Sequence, residues 1–429
     1  MNRRGSVDTM TIAAILAVLG LTSAATPRGV VRAAFELPPP TGRYAVGTTA
    51  WRVTDSSRHE TFTTSGEFRQ VEVLAWYPAA APRSGGLAAY LREGLAEVRS
   101  FAKLFGAAET VFDGLAEVRT HAGLDAAPAV TPRKFPVLLF SHGYTSIPSA
   151  YTALLEDLAS HGYAVLSIVH PYEATAATLA DGRVVSLLDN AGTPLPAIRD
   201  VFGEWGTEDE TMGAVTRATD AADQIRLLRG YLAGLRRTDL ALRRWVDDTK
   251  LVIDRLSNVP PKSAAGQLAA RLDIGRLGVF GHSMGGVTAG QFCLEDRRCR
   301  AGLNLDGIPQ YGTMIDKSMP RPFLMVYSAR PGRSGASDAI YRRAAHLYYR
   351  VDVRDTRHLD FCDMVFWGGP LRERPVLGTL APLRATEITG VIVRQYFDQE
   401  LLRQRSTLLG GMPLFPEVSV RTFPPLNIF

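Results

Sequence analysis

Residues 276–286 read RLGVFGHSMGG. The apolar run LGVF does not alternate with polar residues, as expected of a strand buried on both faces of a parallel sheet. It breaks into Gly281-His282-Ser283-Met284-Gly285-Gly286, a G-x-S-x-G pattern, and a helical stretch follows near 285–295. Strand, tight glycine-flanked turn and helix are the context that a nucleophile elbow requires. The glycines provide room, because side chains two residues either side of the serine would strike the neighbouring strand and helix. Such a turn lifts the Ser283 hydroxyl clear of the sheet, close to a helix N-terminus.

Moving outward, the same alternation recurs. FPVLLFSHG (135–143) is a buried strand ending in glycine, and residues 149–160 form a helix with Tyr151, Leu154, Leu155 and Leu158 on one side. YAVLSIVH (163–170) is the next strand. Met212, Val215, Ala218, Ala222, Ile225, Leu228, Leu232 and Leu235 then recur at spacings of three and four, which predicts one long amphipathic helix. CRAGLNLDG (299–307), RPFLMVYSAR (321–330) and YYRVDVRDTRH (348–358) are further strands, with helices expected near 337–347 and 383–404. This pattern predicts an α/β fold: a mostly parallel central sheet with helices on both faces. Such sheets bind ligands beyond the carboxyl ends of their strands.

The residues at those ends supply a set of reactive groups. A serine hydroxyl needs a base within hydrogen-bond reach, itself oriented by a carboxylate. With the chain order Ser, acid, His, the histidines after Ser283 are His346 and His358. His346 falls in a predicted helix, whereas His358 follows a strand directly, so His358 is the expected base. Asp306 closes the strand LNLD inside an apolar run, where an unpartnered carboxylate is costly. It is preferred as the acid over Asp338, which lies well into the segment after the next strand. Two backbone N–H groups should face a developing oxyanion: those of Met284, after the serine, and Tyr144, in the loop Ser141-His142-Gly143-Tyr144. His142 is read as a structural hydrogen-bonding residue, His170 as a strand-end histidine near the pocket, and Cys362 as no nucleophile.

Composition narrows the alternatives. The chain has 429 residues, 46% hydrophobic and 21% charged, with three Cys and a net charge of +5. Three cysteines cannot form a disulfide scaffold and no C-x-x-C pair offers a zinc framework, so no metal is expected. The basic residues form no run that points to nucleic acid, and nothing calls for an obligate protein partner. Cys293 and Cys299 could close a short disulfide or remain as two thiols.

Arg3 and Arg4 precede the uncharged run MTIAAILAVLGL (10–21), then small residues and Pro27. This predicts a signal peptide over 1–25 and a secreted or periplasmic protein; the run is shorter than the roughly 20 residues a membrane span needs. The remainder divides into an extended lead-in (26–64), one catalytic domain (65–405) and a C-terminal extension (406–429). Within the domain, the Ala-rich stretch 79–134 reads as a helical insertion, with GLAEVR twice at 94–99 and 114–119.

FSHGYTSIPSAYTALLEDLASHGYAVLSIVH (140–170), GHSMGG (281–286), AGLNLDG (301–307) and TRHLDF (356–361) resemble the plasma-type platelet-activating factor acetylhydrolases and their bacterial relatives. These belong to the α/β-hydrolase superfamily, and the likeness covers roughly residues 65–405. The resemblance implies an α/β-hydrolase fold with Ser283, Asp306 and His358 as the triad and Tyr144 and Met284 as oxyanion donors. It also implies calcium-independent hydrolysis of a small-molecule or lipid ester with a short or oxidised acyl chain, without an organic cofactor. A phospholipid substrate would bring transient contact with a lipid surface. Relatives with this signature include general carboxylesterases and polyester hydrolases, and lactones suit the same triad. The chain departs from the pattern in the 79–134 insertion, in Tyr144 and in Met284, all near the expected pocket mouth.

Overall fold

A computed structural model describes residues 35–80, 86–308, 313–368, 371–372, 375–411 and 414–423. The expected signal peptide at 1–25 lies outside the described residues. In chain order the elements are β1 (Ala45–His59), β2 (Phe68–Ala79), β3 (Leu87–Ala89), α1 (Leu95–Leu104), β4 (Arg119–Leu124), β5 (Phe135–Ser141), α2 (Thr152–Ser160) and β6 (Ala164–Val169). A small ribbon, β7 (Ala177–Thr178) with β8 (Val184–Val185), precedes α3 (Pro196–Glu204), α4 (Glu208–Arg217), α5 (Ala221–Ala233), α6 (Arg236–Asp254) and α7 (Ala264–Ala269). The chain continues through β9 (Leu272–His282), α8 (Met284–Glu295), β10 (Cys299–Leu305), β11 (Met319–Tyr327), α9 (Asp338–Ala344), β12 (Ala345–Val353), α10 (Pro382–Leu402) and β13 (Val418–Phe423).

The main sheet runs β13-β12-β11-β10-β9-β5-β6-β2-β1-β4-β3. From β12 to β6 every neighbour is parallel, while β2 pairs antiparallel with both β6 and β1, and β13 with β12. Alternate residues of β5 feed two cores: Val137 and Leu139 on one face, Leu138 and Phe140 on the other. Trp245 of α6 and Phe292 of α8 cover the first face, Leu158 of α2 and Phe397 of α10 the second. With both faces covered, the inner strands carry unbroken apolar runs. This is the expected α/β architecture.

Several expectations fail locally. The single helix over 212–235 is two helices, α4 and α5, broken at 218–220. The Asp220 side chain accepts the Ala222 N–H at 3.0 Å and starts a new helix, while Gln224 Nε2 donates to the Val215 and Ala218 carbonyls that end the old one. The 79–134 insertion is only partly helical. Beyond α1 and a 3-10 turn at Asp113–Glu117 it adds the strands β3 and β4, and β4 pairs parallel with β1. Glu156 holds β4 by accepting the N–H groups of His121 and Ala122 at 3.0 and 2.9 Å. The lead-in contributes β1, whose β-branched and aromatic residues bury Val46, Trp51 and Val53. The C-terminal extension supplies the edge strand β13. His346 lies exposed on β12, not in a helix.

Cys293 and Cys299 form a disulfide with a Cα separation of 5.1 Å, joining the end of α8 to the start of β10.

Candidate active site

Ser283 sits where β9 turns into α8, at φ 55° and ψ −125°. A non-glycine residue is strained there and stays only because its surroundings over-determine it. Its N–H donates to the Leu305 carbonyl at 2.8 Å, tying the turn to β10. The flanking glycines are required by contact. A Cβ on Gly281 would lie 2.3 Å from the Gly285 carbonyl carbon, and one on Gly285 2.0 Å from the Ser141 carbonyl oxygen.

The expected acid and base meet. His358 opens a 3-10 turn after β12, and its Nδ1–H donates to Asp306 Oδ2 at 2.8 Å. That assignment leaves Nε2 as the lone-pair nitrogen. Asp306 follows β10 at φ 55°. It also accepts the Ser328 N–H on Oδ1 at 2.8 Å and the Ser328 hydroxyl on Oδ2 at 2.9 Å. Burial raises the Asp306 carboxyl, but the His358 hydrogen bond and charge, with Arg330 and Ser328, outweigh it and lower the carboxyl to about 2. Burial draws the His358 imidazole below its ordinary value, helped by Arg330 and opposed by Asp306. The alternative acid, Asp338, is engaged elsewhere: it accepts the Tyr327 and Tyr348 hydroxyls at 3.0 and 2.6 Å and pairs with Arg350.

Gly143 and Tyr144 lie in the loop after β5, which is braced from both ends. The Thr145 N–H donates to the Glu173 carbonyl at 2.9 Å and the Thr175 N–H to the Ser146 carbonyl at 3.1 Å. His142 is fully buried; its Nδ1–H donates to the Gly143 carbonyl at 2.7 Å and its ring lies edge-on to Trp245. His170 stacks on Trp245 at 4.0 Å and donates to Asp248 at 2.9 Å. Asp248 in turn pairs with the buried Arg69. Both histidines therefore serve as supports behind the loop. Cys362 is buried against the Leu359 carbonyl, and burial pushes its thiol up, away from the reactive thiolate.

Ser283, His358, Gly143 and Tyr144 line one cavity of about 770 Å³ including its open mouth. The insertion and Tyr144 were expected near its mouth, but the rings that form its walls were not foreseen from sequence. Phe101, Phe105 and Phe112 come from the insertion, and Phe202 and Trp205 from α3 and the turn after it. Phe101 and Phe105 touch with centroids 4.4 Å apart, and Phe112 packs on Trp367 at 5.4 Å. On the other wall Tyr144 meets Phe202 and Trp205 edge-on at 5.9 and 5.6 Å. The sequence signal was present in the rings of FAKLF and VFDG, but nothing local aimed them at Ser283. Glu97 anchors the insertion beside the loop, accepting the Ser149 hydroxyl at 2.9 Å. Among the described residues no group of three or more His, Cys, Asp or Glu side chains is placed to hold a metal ion, and no helix is long and apolar enough to cross a membrane.

The chain is similar to several known proteins. The family described as "Platelet-activating factor acetylhydrolase, isoform II" matches residues 30–186, a span that includes Gly143 and Tyr144 and ends before Ser283. The chain is 26% identical over 250 residues to a platelet-activating factor acetylhydrolase of Cavia porcellus, covering 57% of this chain and 52% of that protein. It is 21% identical over 309 residues to a probable 1-alkyl-2-acetylglycerophosphocholine esterase of Arthroderma benhamiae, covering 66% and 65%. The chain spans about half the length of the acetylhydrolases it matches. A ferulic acid esterase from Streptomyces cinnamoneus superposes with a TM-score of 0.67 at 26% identity, over 90% of this chain and 98% of that one. The chain therefore has an α/β-hydrolase fold and resembles the platelet-activating factor acetylhydrolases.

Proposed function

We propose that this chain is a serine carboxylic-ester hydrolase working through an acyl-enzyme. The observation that carries the reading is the 2.8 Å bond from His358 Nδ1 to Asp306 at the wall of the cavity into which the strained Ser283 turn opens. Ser283 Oγ attacks the ester carbonyl while His358 Nε2 takes its proton. Asp306 holds the imidazole in the tautomer that does so and stabilises the imidazolium. The Tyr144 and Met284 N–H groups receive the oxyanion, with the N-terminus of α8 adding a favourable field. The C–O bond breaks, the alcohol leaves with the proton from His358, and water then releases the acid by the same steps in reverse roles.

The substrate on this reading is a short-acyl or oxidised-acyl phospholipid ester, and the printed activities of the named relatives, an acetylhydrolase and a 1-alkyl-2-acetylglycerophosphocholine esterase, support the acetyl case. A second reading, an aromatic acyl ester, is favoured by the ring-lined walls and by the ferulic acid esterase neighbour. The disulfide suits an oxidising compartment, which supports export with residues 1–25 as the signal peptide.

A panel tests the reading: 1-alkyl-2-acetylglycerophosphocholine, p-nitrophenyl acetate through palmitate, methyl ferulate, a lactone and a polyester film. A burst of alcohol followed by steady turnover on short acyl esters is expected. No burst and no turnover on any member would overturn it, and a preference for methyl ferulate would select the second reading.

A further inference from the structure

Two buried side chains, Tyr151 and His282, join the loop after β5 to the expected base through hydrogen bonds. The Gly143 N–H donates to Tyr151 Oη at 3.2 Å, and Ser146 Oγ lies 3.2 Å from the same oxygen. Tyr151 Oη lies 2.9 Å from His282 Nδ1, and His282 Nε2 lies 2.8 Å from the His358 carbonyl oxygen. Tyr151 is fully buried and His282 is 2% exposed.

The direction of every bond follows from one end. A carbonyl oxygen only accepts, so His282 Nε2 carries the proton toward His358. A neutral imidazole has one N–H, so Nδ1 accepts and the Tyr151 hydroxyl must donate to it. The Tyr151 oxygen then has lone pairs left for the Gly143 N–H and the Ser146 hydroxyl. Burial, with the neighbouring His358, lowers His282 to about 3 and keeps the ring in this neutral form.

The ends of this hydrogen-bonded path are informative. Gly143 precedes Tyr144, the expected oxyanion donor; His282 precedes Ser283; the far end holds the backbone of His358. A Cβ on Gly143 would lie 3.4 Å from both His282 Nδ1 and Ser283 Cβ, so loop and elbow are already in contact. We infer that Tyr151 and His282 are positioning residues, forming a hydroxyl–imidazole relay that fixes the oxyanion loop, the nucleophile turn and the base relative to one another. The relay rests on the ester-hydrolase reading above. It goes beyond that reading by assigning work to two side chains outside the proposed triad, Tyr151 behind the cavity and His282 in its wall against the His358 ring.

The test uses Tyr151→Phe, which removes one oxygen. It also uses His282→Gln, whose amide can accept from Tyr151 and donate to the His358 carbonyl, and His282→Leu, which can do neither. Misplacement of reacting groups by about 1 Å costs roughly a hundredfold. Tyr151→Phe and His282→Leu are therefore expected to lower kcat on p-nitrophenyl acetate about ten- to hundredfold with KM within about twofold, the signature of a loss confined to the transition state. His282→Gln should recover at least about fivefold over His282→Leu at a similar unfolding midpoint. A kcat within about twofold of wild type in Tyr151→Phe and His282→Leu, or a loss of kcat that only follows the unfolding midpoint, overturns the relay. If Tyr151→Phe does not fold, equal kcat in the two His282 variants overturns it. A fluorophosphonate probe on the wild type separates the two levels. An unlabelled Ser283 fails the ester-hydrolase reading, whereas a labelled wild type with equal labelling rates in all variants fails the relay alone.

Discussion

Gly285→Ala tests how the elbow and the oxyanion loop depend on one another. The added Cβ would stand 2.0 Å from the Ser141 carbonyl oxygen and 2.5 Å from that of His142. A carbon and a carbonyl oxygen rest at about 3.3–3.6 Å, so roughly 1.3 Å of separation must be found. Neither side can give it freely. Ser141 ends β5 and pairs in register with Gly281 of β9, and both strands are flanked by further strands. The displacement therefore passes into His142, Gly143 and Tyr144, the loop that carries the expected oxyanion donor. Overpacking of this kind costs about 1–3 kcal/mol of stability, and a shift of about 1 Å at reacting groups costs roughly a hundredfold in rate. Gly230→Ala is the control: it lies in α5 with nothing within 4 Å of the added carbon, and should stabilise by about 0.5–1 kcal/mol. Urea unfolding and kcat/KM on p-nitrophenyl acetate measure both effects. Gly285→Ala with activity within about threefold of wild type and an unchanged midpoint would refute the reasoning.

Three further outcomes follow from the same contacts. Phe112→Ala opens the ring-lined wall, costing about 3–5 kcal/mol by urea unfolding and moving the best acyl chain of a p-nitrophenyl series to greater length; an unchanged preference would remove the insertion from the acyl site. Replacing both Cys293 and Cys299 by Ser releases a short loop, which the chain-entropy account values at about 2 kcal/mol. Activity should stay near wild type, and an unchanged unfolding midpoint would show the bond to be energetically idle. Because burial draws His358 below its ordinary 6.5 and the neutral imidazole is the working base, the acid limb of kcat/KM should have its midpoint under that value. A midpoint above about 7 would contradict the environment described for it.

The inner strands were legible because each is buried on both faces, and a run such as FPVLLFS has no other stable place. The positions proposed for the triad were legible for a related reason. Ser283 and Asp306 stand directly at strand ends beside glycines, and His358 follows β12 in a polar turn, where the apolar character breaks. The helix over 212–235 misled because its apolar spacing continues across the break, and only the Asp220 cap signals the new start. Residues 45–59 looked like a lead-in because the value of that strand lies in its partner β2, which periodicity does not see. The cavity walls and the Tyr151–His282 pair were hidden for the same reason: the rings arrive from segments about a hundred positions apart, and the hydroxyl and imidazole are 131 residues apart in sequence.

The most direct measurement is covalent. Incubation with a fluorophosphonate probe followed by peptide mass spectrometry should place one adduct on Ser283, and Ser283→Ala should abolish it while keeping the wild-type unfolding midpoint. An unlabelled wild type, or labelling undiminished in Ser283→Ala, would contradict the account of Ser283 as a nucleophile activated by His358 and Asp306.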